Sequence, residues 1–204
     1  NIRTESPYFL SFIKSLSYYS PAEVIIFGDH NPKTFYHHQL PKNFKYVNIT
    51  WLDLALRADK RFTTNISSKY KNMNFHYKIC EYRPLMPLLY PEYFFRINGG
   101  IPSKDKRSKV RWIGWIDNDM WFSTDFLHNL IELGKNNSIK QWRGNGNHPD
   151  HTSWGPISIF DFNTYYLDLV PIILQNIDLI KPVLENPYAN HLFDEWGESS
   201  WGGL

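Results

Sequence analysis

Two aspartates one residue apart, Asp117 and Asp119, are the side chains whose types and spacing point most directly to chemistry. They follow Trp112-Ile113-Gly114-Trp115-Ile116, an aromatic and β-branched run that predicts a buried strand within residues 110–116. In an extended segment, residues two apart face the same side, so both carboxylates would meet one spot just past the strand. Paired hard oxygen ligands suit Mg²⁺ or Mn²⁺, ions that keep some water and use one or two protein carboxylates together with substrate phosphates. Such an ion acts as a Lewis acid and neutralises charge developing on a leaving diphosphate. On spacing alone a second reading stays open, in which the pair forms a solvated turn or caps a helix near Thr124. The preceding strand favours the first, because a buried strand aims both acids at a crevice.

The flanking elements must place these acids. Ser6 as N-cap, Pro7 at the first helical position, and Phe9, Ile13, Leu16 and Tyr19 at helical spacing predict an opening helix ending at Ser20-Pro21. Val24-Ile25-Ile26-Phe27 reads as a buried strand stopped by Gly28-Asp29-His30-Asn31-Pro32, and Phe44 to Val47 as a second, weaker one. Thr50 and Asp53 match a capping box that opens a helix through Leu52, Ala55 and Leu56. Residues 77–90 carry helical spacing broken by Pro84 and Pro87, and residues 96–109 read as a Gly-, Pro- and Lys-rich loop. Asp125 to Leu133 predicts a helix, residues 141–155 a long polar loop, Ile157 to Phe160 a strand, and residues 163–184 helix in pieces interrupted at Pro171. Strands alternating with helices predict an α/β domain with a largely parallel sheet, its ligand crevice at the carboxyl ends of the strands, where Asp29, Asp117 and Asp119 fall.

Composition bounds the function. The 204 residues are 42% hydrophobic and 21% charged, which fits one globular domain over 1–204. Twenty-two basic against 20 acidic side chains leave a net charge of +2, too small a field for a dominant nucleic-acid role. No stretch approaches the apolar length of a membrane-spanning helix. Cys80 is the single cysteine, so the chain holds no internal disulfide. An apolar helical setting favours an inert buried thiol over a nucleophile.

Three segments taken in order, Lys78-Ile79-Cys80-Glu81-Tyr82-Arg83-Pro84, Trp112 to Asp119, and Phe193-Asp194-Glu195, resemble the signatures of DUF6625-type glycosyltransferases. The likeness spans most of the chain, beginning near Pro7-Tyr8-Phe9 and Ile25 to Asp29. It implies a GT-A-like, Rossmann-like α/β fold of mostly parallel sheet flanked by helices, a nucleotide-diphosphate sugar donor, Mn²⁺ or Mg²⁺, and transfer of a sugar to a glycan or other hydroxyl acceptor. Within it, Asp29 would lie at the base or ribose end of the donor, with an Asx turn as the competing role. Lys78, Glu81 and Arg83 would line the donor side, Arg83 pairing with the diphosphate or with Glu81, and Lys78 being also consistent with a solvated ion pair. Asp117 would contact ribose or a metal-bound water and Asp119 would ligate the ion. Asp194 and Glu195 would bind the acceptor or act as general base on its hydroxyl, against a plain capping or surface role.

The chain also departs from that pattern. The family's first strand has no counterpart before Pro7, which implies a sheet lacking that strand and a chain that is a fragment of a longer protein. Glu81 stands where aspartate is commoner, and Trp154-Gly155-Pro156 replaces a Gly-His-Phe pattern, so no histidine role carries over. His148 and His151 lack a zinc framework, and His37 and His38 read as surface residues. Trp112 and Trp115 read as core, whereas Trp142, Trp154, Trp196 and Trp201 suit sugar stacking. Asn48, Asn65 and Asn136 head N-glycosylation sequons, which matter only in a secretory lumen. Two other functions compete: a non-catalytic carbohydrate-binding module and a metal-dependent phosphohydrolase.

Overall fold

A computed structural model describes residues 7–18, 23–29, 40–69, 78–94, 112–116, 122–123, 125–126, 128–129, 132, 141–143, 157–162 and 164–186. The chain forms two compact units, residues 1–54 with 117–139 and residues 55–116 with 140–204. The architecture is mixed α/β with two small sheets.

In the first unit, α1 spans Pro7–Ser17 and buries Phe9, Ile13 and Leu16, which its sequence spacing predicts, and also Phe12, which the spacing does not single out; the predicted Tyr19 lies outside the described residues. Strands β1 (Val24–Gly28) and β2 (Phe44–Asn48) pair in parallel, Val24 opposite Phe44 and Gly28 opposite Asn48. The amide of Val24 donates to Asn43 O at 2.8 Å, and the Asn43 side-chain amide donates to Leu16 O at 3.1 Å. One residue thus ties the end of α1 to the start of the sheet. Although β1 reads as a continuous apolar run, each of its residues is only half-buried. Beyond β2, Thr50 and Asp53 form the expected capping box. The Thr50 amide donates to Asp53 Oδ2 at 2.8 Å, and the Asp53 amide donates to Thr50 Oγ1 at 3.1 Å. They open α2, Trp51–Phe62, which continues into the second unit.

Helix α2 stops at Thr63, whose φ of 57° puts a β-branched residue in the left-handed conformation that glycine usually takes at a helix end. Asp59, in the last turns of α2, caps the next helix. It accepts from Thr64 Oγ1 at 2.7 Å, from the Ile66 amide at 2.7 Å and from the Ser67 amide at 2.9 Å, fixing the short α3, Ile66–Lys69. The second unit goes on through a 3-10 helix, Lys78–Leu85, then α4 (Met86–Leu89) and α5 (Pro91–Phe94). The two prolines account for the broken helix. Pro84 disfavours an α-helix continuing through it, whereas Pro87 sits in the first turn of α4, where a missing N–H costs nothing. Arg57 braces this segment from α2: its guanidinium donates to Leu89 O at 2.9 Å, lies 4.1 Å over the Tyr90 ring and pairs with Glu92 at 2.7 Å.

The second sheet has the order β3-β5-β4, with β3 Trp112–Ile116, β4 Gln141–Arg143 and β5 Ile157–Asp161. Strand β5 is antiparallel to both neighbours, so β3 and β4 run the same way on either side of it. A largely parallel sheet is the sequence expectation. Among the described residues one pairing is parallel and two are antiparallel. An apolar run marks burial and leaves direction unspecified, so Ile157 to Phe160 gives no sign of its reversal. Strand β4 also lies in the segment expected to be loop. After β5 come a π-helix, Thr164–Leu169, then α6 (Val170–Gln175) and α7 (Ile177–Glu185). The break in this last stretch falls at Asn176, between α6 and α7, while Pro171 is accommodated in the first turn of α6.

Burial raises the Asp59 pKa, but four hydrogen-bond contributions from Thr64, Ile66 and Ser67 outweigh it and hold the carboxyl below its ordinary value. Asp59→Ala is expected to cost about 1–2 kcal/mol in urea unfolding near neutral pH. The wild type's advantage is complete above the unfolded-state value of about 3.9 and fades as pH falls through the lower folded value. An advantage that stayed constant down to the lowest pH would contradict the capping role.

Candidate functional site

Asp29 is the first residue past β1, in an exposed bend at the carboxyl end of the parallel pair. Two features hold that end in place. The Ile49 amide donates to Gly28 O at 2.8 Å, and a Cβ on Gly28 would sit 2.6 Å from the Tyr46 hydroxyl, so glycine is what lets the ring lie against the strand end. The strand-end position expected for Asp29 is therefore present.

In the second unit the 3-10 helix carries the other described candidates. Glu81 and Tyr82 are fully buried, Arg83 is half-buried, and Lys78 supplies the first backbone residue of the helix. A buried carboxylate is costly, so its presence marks a position where charge is needed or compensated. This helix packs against β3, the strand that leads into Asp117. Two tyrosines fasten it from separate elements. Tyr165, in the π-helix, donates to Pro84 O at 2.5 Å, and Tyr82 donates to Leu184 O in α7 at a long 3.4 Å.

The strand behind the helix is built on aromatic packing. Ile113, Phe160, Tyr165 and Val170 form its buried core, with Trp115 and Leu88 packed alongside. Ring centroids lie 5.3 Å apart for Trp115 and Phe160, and 6.2 Å apart for Phe160 and Tyr165. Trp115, expected in the core, is half-buried and packs against that cluster from its side. At Gly114 the strands come so close that a Cβ would collide with the Ser158 carbonyl oxygen and stand 3.0 Å from Ile159 Cα.

Asp117, Asp119, Asp194 and Glu195 lie outside the described residues, as do His148 and His151. Among the described residues no group of three or more His, Cys, Asp and Glu side chains is placed to hold a metal ion. Nor is any described helix long and apolar enough to cross a membrane. Sequence reading placed Glu81 and Arg83 on one helix ahead of the strand, but missed Tyr165, which lies 81 residues from its partner Pro84. No local pattern signals that contact. No protein-family model, curated protein or solved structure matches this chain.

Gly114→Ala is expected to destabilise the second unit by about 1–3 kcal/mol, because backbone has to shift on β5 to admit a methyl group. The change is read as a lower urea midpoint, with weakened amide protection at 112–116 and 157–161. Unchanged stability would contradict the close strand approach.

Proposed function

We propose that this protein is a metal-dependent glycosyltransferase of GT-A-like type, moving a sugar from a nucleotide-diphosphate donor to a glycan or other hydroxyl acceptor. The observation that carries the reading is the packing of the 3-10 helix with Glu81 and Arg83 against β3, whose chain runs on into Asp117 and Asp119. Two carboxylates past a strand end are a hard-ion donor set. The segments that resemble DUF6625-type proteins include both the helix and the strand. Parallel pairing of β1 with β2, with Asp29 at its carboxyl end, agrees with a nucleotide crevice at that edge.

On this reading Asp119 ligates Mn²⁺ or Mg²⁺, and Asp117 binds ribose or a metal-bound water. The ion, once bound, offsets charge on the departing diphosphate. Arg83 adds a fixed cation whose planar fork matches phosphate oxygens, and Lys78 and Glu81 belong to the same donor-side helix. Asp29 holds the base or ribose end. Asp194 or Glu195 removes the proton from the acceptor hydroxyl as its oxygen attacks the anomeric carbon and the bond to the diphosphate oxygen breaks.

The test is a thermal-shift panel of UDP, GDP, CDP and ADP, with and without Mn²⁺, on the wild type and Asp119→Asn. Ligands that bind the native state raise apparent stability with the logarithm of their saturation. The expected result is a shift with one nucleotide that requires Mn²⁺ and is lost in the variant. A shift with glycans that ignores both metal and variant would instead identify a carbohydrate-binding module, and phosphate release from simple esters a phosphohydrolase.

A further inference from the structure

The 3-10 helix of residues 78–85 is a poor structure to leave unsupported, because its hydrogen-bond geometry is weaker than an α-helix's and Pro84 offers no amide. It nonetheless carries a fully buried Glu81 and a half-buried Arg83. Something has to hold the Pro84 carbonyl, and the Tyr165 hydroxyl does so at 2.5 Å from a fully buried ring. We infer that Tyr165 is a positioning residue, whose hydroxyl latches the 3-10 helix through the Pro84 carbonyl and so sets where Glu81 and Arg83 stand.

Several contacts support the latch. Tyr165 belongs to the same buried cluster as Ile113 of β3 and Phe160 of β5, so its ring is fixed to the sheet independently of the hydroxyl. Its neighbour Tyr166 meets it edge-on with centroids 4.8 Å apart, which further restricts the ring. Burial, reinforced by Tyr166, pushes the phenol well above its ordinary value, so the hydroxyl keeps its proton and remains a donor. The π-helix that presents Tyr165 is an uncommon conformation, frequent at functional sites, and here it brings two successive tyrosines to the cluster. Removing the oxygen leaves the Pro84 carbonyl without the partner that holds it, while the apolar packing of the ring survives.

The ligand arm of the test rests on the donor-site reading above; the backbone arm does not. Tyr165→Phe deletes only the hydroxyl, and Phe160→Leu, in the same cluster, serves as a packing control that leaves the latch intact. Hydrogen exchange read by mass spectrometry over residues 78–86 is expected to quicken about fivefold to tenfold in Tyr165→Phe, with residues 51–62 unchanged, as loss of one hydrogen bond implies. Where the wild type binds a Mn²⁺–nucleotide, Tyr165→Phe is expected to weaken it by a similar factor, and Phe160→Leu to alter global stability without that loss. Exchange over 78–86 that is unchanged in Tyr165→Phe, or equally quickened by Phe160→Leu, overturns the latch. A wild type that binds no nucleotide, with exchange still responding to Tyr165→Phe, upholds the latch and overturns the donor-site reading alone.

Discussion

The antiparallel pairing of β3 with β5 is the constraint on which the second unit depends. It sets Gly114 against the Ser158 carbonyl so closely that a side chain has no room there. It also brings Trp115 onto Phe160, beside which lies the Tyr165 ring, held as well among Ile113 and Val170. From that ring one hydroxyl reaches Pro84 and holds the helix with Glu81 and Arg83. A sheet contact thereby becomes a placement of charged side chains, each step resting on a buried group with few alternatives.

The first unit uses backbone and caps for the same purpose. Asn43 ties α1 to the strands, Ile49 pins the end of β1, and Thr50 with Asp53 starts α2 directly after β2. These contacts are short-range or lie between neighbouring elements, and Asp29 follows β1 in an exposed bend at the carboxyl end of the parallel pair. Rigid strand ends followed by exposed polar residues are how α/β folds display binding groups without burying unpaired charge.

What could be read from the sequence divides along the range of the interactions. Thr50 and Asp53 were legible because a capping box is complete within four residues, and β3 because aromatic and β-branched residues cluster at 112–116. The stripe Phe9, Ile13, Leu16 gave α1 for the same reason. By contrast, the direction of β5 depends on its partners, and Ile157 to Phe160 would look the same reversed. The three-residue β4 is too short to show alternation amid polar neighbours. Asp59 caps residues beyond its own helix, and Tyr165 acts on a carbonyl 81 positions away. Of the site, Asp29, Glu81 and Arg83 were named from sequence and have places in the structure. Asp117, Asp119, Asp194 and Glu195 lie outside the described residues, and the roles proposed for them rest on the sequence and the resemblance it carries.

On the proposed reading, the strand after the latched helix delivers an aspartate to a metal bound with a nucleotide diphosphate. The decisive experiment is a crystal structure of the protein grown with Mn²⁺ and the nucleotide that stabilises it, with the ion located by anomalous scattering. The expected result is a Mn²⁺ peak with the Asp119 carboxylate among its ligands and the nucleotide diphosphate beside it. A nucleotide bound away from Asp119, or an ion ligated without it, would contradict that role.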